Sequence, residues 1–139
     1  MMKQKKLYKV NIYYFAYGTN LNKKIFLKKF KNAKILKRYY LKNFKVVFRT
    51  KYRIPDLQIK MKSKVPGLIY KIDKNIENKL DKYEDFPYLY VKKYFKYNKK
   101  KIMYYYLKKK TPAKKPFGYY FKIMKLGYRQ NNFRLYELT

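Results

Sequence analysis

Two helical stripes interrupt a chain otherwise written in strand-forming residues, and that order constrains the fold more than any other feature. Leu7–Tyr17 is rich in Val, Ile, Tyr and Phe and reads as a buried strand, ended by Gly18-Thr19-Asn20. A short helix is predicted over Asn22–Phe30, with Leu21/Ile25 and Phe26/Phe30 at i,i+4 spacing. Ala33–Leu41 and Phe44–Thr50 read as two strands, with Phe44, Val46 and Phe48 alternating in the second. Lys51–Lys64 is polar, holds one proline, and is expected to be irregular or an edge. Val65-Pro66-Gly67 opens a strand over Leu68–Ile72. Asp73 is predicted to cap a second helix that carries Ile76, Leu80 and Tyr83 on one stripe. This helix must stop near Phe86, because Pro87 disfavours helical backbone in the residue before it. Tyr88–Tyr97 and Ile102–Leu107 read as a hairpin with its turn at Asn98–Lys101, followed by a loop at Thr111–Pro116. Phe117–Leu126 is predicted to be a third helix closed by Gly127, and Tyr128–Leu138 a helical or irregular tail. About six strands and three helices in this order predict an α+β fold whose mixed sheet can close into a barrel.

The 139 residues suffice for one domain over 1–139 with its own core. His, Cys and Trp are absent. That excludes a Ser-His-Asp triad, a thiol nucleophile, a disulfide and a Cys/His zinc site. No cofactor or metal is expected, since seven carboxylates leave none to spare for a cation cage. Lys and Arg number 39, a formal net charge of +32. Lys dominates Arg, and Lys, Tyr, Asn, Ile and Phe share AT-rich codons, so the composition reads as that of an AT-biased coding sequence with solvated lysines. A surface selected to grip phosphate would use more Arg, for its bidentate fork. Nonspecific attraction to polyanions follows from the charge in either case. The longest apolar runs, such as Ile12–Tyr17, are far short of a membrane span, and the basic Met1–Lys6 is followed by no signal-like segment. A cytoplasmic protein, monomer or homodimer, with no membrane partner is expected.

Two places carry chemistry. Tyr14-Phe15-Ala16-Tyr17-Gly18-Thr19-Asn20 is a strand-to-helix junction whose Gly lets backbone approach a ligand and whose following N–H groups favour an anion. An ordinary corner would look the same, since the junction lacks the several glycines of a phosphate loop. The other place is Asp81-Lys82-Tyr83-Glu84-Asp85-Phe86-Pro87. Five of the seven carboxylates lie between Asp73 and Asp85, out of character for so basic a chain. Glu84 falls at a helix C-terminus, with Asp81 and Asp85 close in sequence and aromatic neighbours able to desolvate it. All three effects push a carboxylate pKa upward, toward the range useful for proton transfer near neutrality. The plain alternative is a solvated helix end that offsets nearby lysines.

Together these places resemble a family. Tyr-Phe-Ala-Tyr-Gly-Thr-Asn-Leu at Tyr14–Leu21 is similar to the N-terminal Tyr-Gly-Ser-Asn loop of the gamma-glutamylcyclotransferases. Val65–Asp73 is similar to their Gly-containing central strand, and Leu80–Glu84 followed by Tyr90 to the segment holding their catalytic glutamate. Pro116–Gly127 resembles their last helix. Thr19 stands where Ser is more usual, as in a sibling branch acting on γ-glutamylamines, and Asp85 where a Gly commonly follows the glutamate. The resemblance implies a small mixed β-barrel flanked by helices, with Glu84 as general acid/base in a cavity. It implies conversion of a γ-glutamyl amino acid or amine to 5-oxoproline by attack of the substrate's own amine, so the protein supplies no nucleophile. Tyr14, Phe15, Ala16, Tyr17, Gly18, Thr19, Asn20, Tyr90, Tyr106 and Tyr120 are then expected to hold the substrate. Two other readings compete: a non-catalytic binder of small anions on the same fold, and a basic nucleic-acid-binding protein. A pure anion binder has little use for a buried Glu84. Lysines spread over every element, with no recognition motif, disfavour the nucleic-acid reading.

Overall fold

A computed structural model describes residues 10–138. Leu7–Lys9 of the expected first strand, and Met1–Lys6, lie outside the described residues. The strands are β1 (Ile12–Ala16), β2 (Lys34–Arg49), β3 (Ile54–Ile72), β4 (Tyr90–Tyr97), β5 (Lys100–Leu107) and β6 (Ala113–Lys114). The helices are α1 (Lys23–Lys29), α2 (Lys74–Tyr83) and α3 (Tyr119–Gln130), with 3-10 turns at Thr19–Leu21 and Leu135–Leu138. One six-stranded sheet runs β4-β5-β1-β3-β2-β6. The β1–β5 pairing is parallel and the others antiparallel, so the sheet is mixed. It curls into a half-barrel. Since β4 and β6 remain edges, the ring of strands does not close.

Four expectations need correction. Ala33–Leu41 and Phe44–Thr50 belong to a single strand, β2, bent at a register shift between Lys42 and Phe44. Asn43, at that shift, has φ of 68° and its side-chain oxygen accepts the Lys62 N–H, so the bend is a β-bulge rather than a chain break. The polar stretch expected to be irregular is mostly strand, because Ile54–Ile59 and Lys64 pair with β2 through backbone groups that need no apolar pattern, with residues 60–63 left over opposite the Lys42–Phe44 shift. The loop at Thr111–Pro116 contains β6, which pairs with Phe48 and Arg49. Finally, Gly127 does not end α3, which runs on to Gln130. A Cβ at Gly127 would lie 2.4 Å from a Leu21 methyl and 2.9 Å from the Asn22 nitrogen. The glycine is there for close approach of the helix to the turn before α1, not for a cap.

The other local rules hold. The Asp73 side chain accepts the Ile76 N–H at 2.9 Å, and Asn22 caps α1 in the same way through Ile25. The β4–β5 turn has φ of 49° at Asn98 and 63° at Lys99, the left-handed pair of a tight two-residue hairpin loop. The core lies on both faces of the sheet. On one face Tyr14 and Tyr70 pack on Phe26 of α1, with ring centroids 6.0 and 4.2 Å away. On the other, Phe15 meets Tyr39 and Phe95 at 5.9 and 5.8 Å. Gly67 of β3 makes this layering possible: a Cβ there would sit 2.5 Å from the Ala16 carbonyl oxygen and 2.7 Å from the Phe15 ring.

Candidate active site

The sequence around α2 dictates an abrupt end. After Tyr83, Glu84 is the C-cap and Asp85 turns left-handed, with φ of 51°. The Asp85 N–H donates to the Lys82 carbonyl and the Phe86 N–H to the Asp81 carbonyl, the two bonds of a Schellman motif. Glycine usually fills that left-handed position, but Asp tolerates it. The missing Gly therefore leaves the loop geometry intact. The Glu84 carbonyl then accepts from Tyr90 N–H at 3.3 Å, tying the helix end to the start of β4.

This loop aims Glu84 into a cavity of about 150 Å³. The junction after β1 forms one wall with Tyr14, Phe15, Tyr17, Gly18, Thr19 and Asn20. Tyr83, Leu89 and Tyr90 line the Glu84 side, Ile54 and Pro55 come from β3, Tyr105 from β5 and Tyr120 from α3. Hydrogen bonds fix the walls. Tyr17 Oη donates to the Tyr105 carbonyl at 2.7 Å, Tyr90 Oη to the Pro55 carbonyl at 2.7 Å, and Tyr70 Oη to the Asn20 carbonyl at 2.8 Å. Asn20 Nδ2 donates to Tyr14 Oη at 2.9 Å. The 3-10 turn uses the N–H groups of Leu21 and Asn22 internally. Its leading N–H groups, at Thr19 and Asn20, have no backbone partner among the described residues, as expected at the start of such a turn.

Of the eleven residues the sequence placed at the site, nine line this cavity: Glu84, Tyr14, Phe15, Tyr17, Gly18, Thr19, Asn20, Tyr90 and Tyr120; Tyr83, from the same acidic segment, lines it as well. Ala16 and Tyr106 lie elsewhere. Ala16 is buried in β1 with its carbonyl beneath Gly67. Tyr106 points to the other face of β5, because alternate residues of a strand face opposite ways. Its neighbour Tyr105 faces the cavity and was missed.

Electrostatics separate Glu84 from the other carboxylates. Burial pushes its carboxyl up to about 7, opposed by the positive charge of Lys29. The expected contributions of Asp81, Asp85 and the helix end are not the cause. Asp81 is occupied, accepting from Tyr105 Oη at 2.6 Å and pairing with Lys92 at 2.9 Å. Lys92 also pairs with Glu77 at 2.6 Å. Despite Glu77's burial, the bonds from Lys92 and Lys74 hold its carboxyl below the usual range. No side-chain hydrogen bond reaches Glu84 among the described residues. Five phenols stand close enough to feel its charge: Tyr14, Tyr17, Tyr83, Tyr90 and Tyr105. Burial, chiefly, raises each above the ordinary tyrosine value, so all five are neutral hydrogen-bonding groups at physiological pH.

Comparison with known proteins agrees with this layout. The family model described as gamma-glutamyl cyclotransferase, AIG2-like, matches residues 14–122. The chain belongs to this family. Among solved structures, one titled gamma-glutamyl cyclotransferase superposes with a TM-score of 0.69 at 21% identity, covering 92% of this chain and 85% of that one. An uncharacterized Homo sapiens protein gives 0.70 at 21% identity, covering 91% and 84%. YkqA from Bacillus subtilis gives 0.71 at 20% identity, covering 93% of this chain and 51% of that one. At these identities the likeness is one of fold. No protein of curated function matches the sequence significantly. Among the described residues, no helix is long and apolar enough to cross a membrane.

Proposed function

We propose that the Glu84 cavity converts a γ-glutamyl amino acid or amine to 5-oxoproline and a free amine. The substrate's α-amino nitrogen attacks its own γ-carbonyl carbon, closing a five-membered lactam. The bond from that carbon to the leaving nitrogen then breaks. Glu84 takes the proton the amine loses and returns it to the leaving nitrogen, so protons balance over the cycle. The chain lacks His and Cys, and this reaction needs neither, because the nucleophile arrives with the substrate. Ring closure is intramolecular, so a rigid cavity that holds the folded rotamer gains much of the available rate.

One observation carries the reading: a carboxylate poised near 7 by burial, in a cavity whose other polar groups are neutral. A base with that pKa can both accept and return a proton at neutral pH. The N–H groups of Thr19 and Asn20, without a backbone partner among the described residues, supply donors for the substrate carboxylate or the developing oxyanion. Tyr14, Tyr17, Tyr90 and Tyr120 shape the walls. The deciding experiment is an assay of 5-oxoproline release across a panel of γ-glutamyl amino acids and γ-glutamylamines, with wild type, Glu84→Gln and Asp85→Asn. Release by wild type and Asp85→Asn, and not by Glu84→Gln, supports the assignment. Binding of the same compound by all three with no release makes the cavity a binding site only.

A further inference from the structure

Tyr106, which turns away from the Glu84 cavity, lines a second cavity of about 410 Å³. It lies between the β2–β3 and β4–β5 hairpins; β3 and β5 do not pair, being separated in the sheet by β1. Its apolar lining is Phe44, Leu57, Ile59, Tyr104 and Tyr106. Ile59 is 72% exposed, so a large apolar side chain stands in water at the mouth.

Three cations also line it: Arg49, Lys93 and Lys110. Among the described residues their only carboxylate partner is Asp56, which is fully buried and pairs with Arg49 at 2.7 Å and Lys110 at 2.9 Å. Arg49 is further committed to Gln58 and the Thr111 carbonyl. Lys93 makes no ion pair among the described residues. The ammonium groups of Lys93 and Lys110 lie 5.4 and 4.7 Å from the same Tyr106 ring centroid. Two like charges are therefore gathered on one aromatic ring, at the edge of an apolar hollow. Both lysines belong to the lining of this one hollow.

We propose that this cavity binds a small amphipathic anion, a carboxylate or phosphate ester on a flat apolar body. The apolar body would fill the hollow against Phe44, Leu57 and Tyr104. The anionic group would sit between Lys93 and Lys110 beside Tyr106. The volume is that of a small-molecule site, not of a polypeptide surface. Charge complementarity selects the anion, and aromatic walls select a planar body.

The probe is 8-anilinonaphthalene-1-sulfonate, whose sulfonate stands in for the carboxylate or phosphate, with neutral N-phenyl-1-naphthylamine as comparison. Wild type should bind one equivalent of the sulfonate with enhanced fluorescence, and bind the neutral dye more weakly. Lys93→Glu should weaken sulfonate binding at least about fivefold, because it replaces attraction by repulsion. Tyr106→Leu should weaken it comparably, and Glu84→Gln should not change it. Lys93 is exposed, so its variant keeps the fold, which thermal melting verifies; it decides the matter if Tyr106→Leu does not fold. Unchanged affinity in Lys93→Glu, equal binding of the neutral dye, or loss of binding in Glu84→Gln would overturn the proposal. So would a dimer in sedimentation that Lys93→Glu dissociates, since a second copy would then occupy the face.

Discussion

Two carboxylates packed near β5, the buried Asp56 and the half-buried Glu84, have opposite surroundings. Asp56 is fully buried and saturated: Leu107 N–H, Arg49 and Lys110 all donate to it. It ties β3 to the end of β5, across strands that do not pair. Glu84 is desolvated by aromatic rings, and no side-chain donor reaches it among the described residues. Burial alone does not tell a structural carboxylate from a reactive one. Compensation does. A buried carboxylate with three donors is compensated and held in place, whereas one desolvated without donors has its proton affinity raised and remains free to react. The Glu77–Lys92–Asp81 group is compensated like Asp56, which leaves Glu84 as the carboxylate of the acidic segment that lines the cavity with no side-chain donor among the described residues.

The comparison breaks most visibly at Glu84. Glu84→Gln should lower kcat by about 10² to 10⁴ while leaving substrate affinity within a few fold, as measured by 5-oxoproline release and by calorimetric binding. Asp56→Ala should do the reverse. It leaves Arg49 buried without its carboxylate, which typically costs about 3–5 kcal/mol, visible as a lower denaturation midpoint. The protein that remains folded should keep Glu84 chemistry.

The pH dependence sharpens the contrast. The base must be ionised, so kcat/KM should rise about tenfold per pH unit below the Glu84 pKa near 7 and level off above it, with substrate-amine ionisation corrected for. Stability runs the other way. The folded-state pKa lies above the unfolded one, so between about 4.5 and 7 the folded protein binds more protons and loses stability as pH rises. Glu84→Gln should therefore match wild type near pH 4 and be the more stable protein near pH 8. The smallest effect is expected one residue on. Asp85→Gly removes a side chain from a left-handed position and should raise stability by up to about 1 kcal/mol, read from thermal melts, with activity preserved.

Much of the site was legible because its signals are local. The Asp73 cap, the stripe of Ile76 and Leu80, and Pro87 fix where α2 begins and ends, and hence where Glu84 falls. The Tyr14–Asn20 junction could be read for the same reason. What was lost depended on tertiary partners. Residues 58–64 project in a ribbon with Ile59 and Met61 exposed, so no buried face imprints an alternation on the sequence. Three consecutive tyrosines, 104–106, carry no phase, so nothing local told which one faced the cavity. The role of Gly127 is set by Leu21, over a hundred residues away, and a helix-ending rule could not see it. The cause of the Glu84 shift was also tertiary, since Lys92 and Tyr105 occupy Asp81 from β4 and β5.

The ring of phenols around Glu84 makes its charge visible to light. With 20 tyrosines, ten weakly absorbing phenylalanines and no tryptophan, the near-ultraviolet absorption of this protein is dominated by tyrosine. A proton leaving Glu84 switches on a field at five phenols that do not themselves ionise in that range. Their bands should shift together as one carboxylate titrates near neutrality, giving an absorbance difference that Glu84→Gln abolishes. The ionisation of the proposed base can thus be followed in the resting protein, without substrate or label.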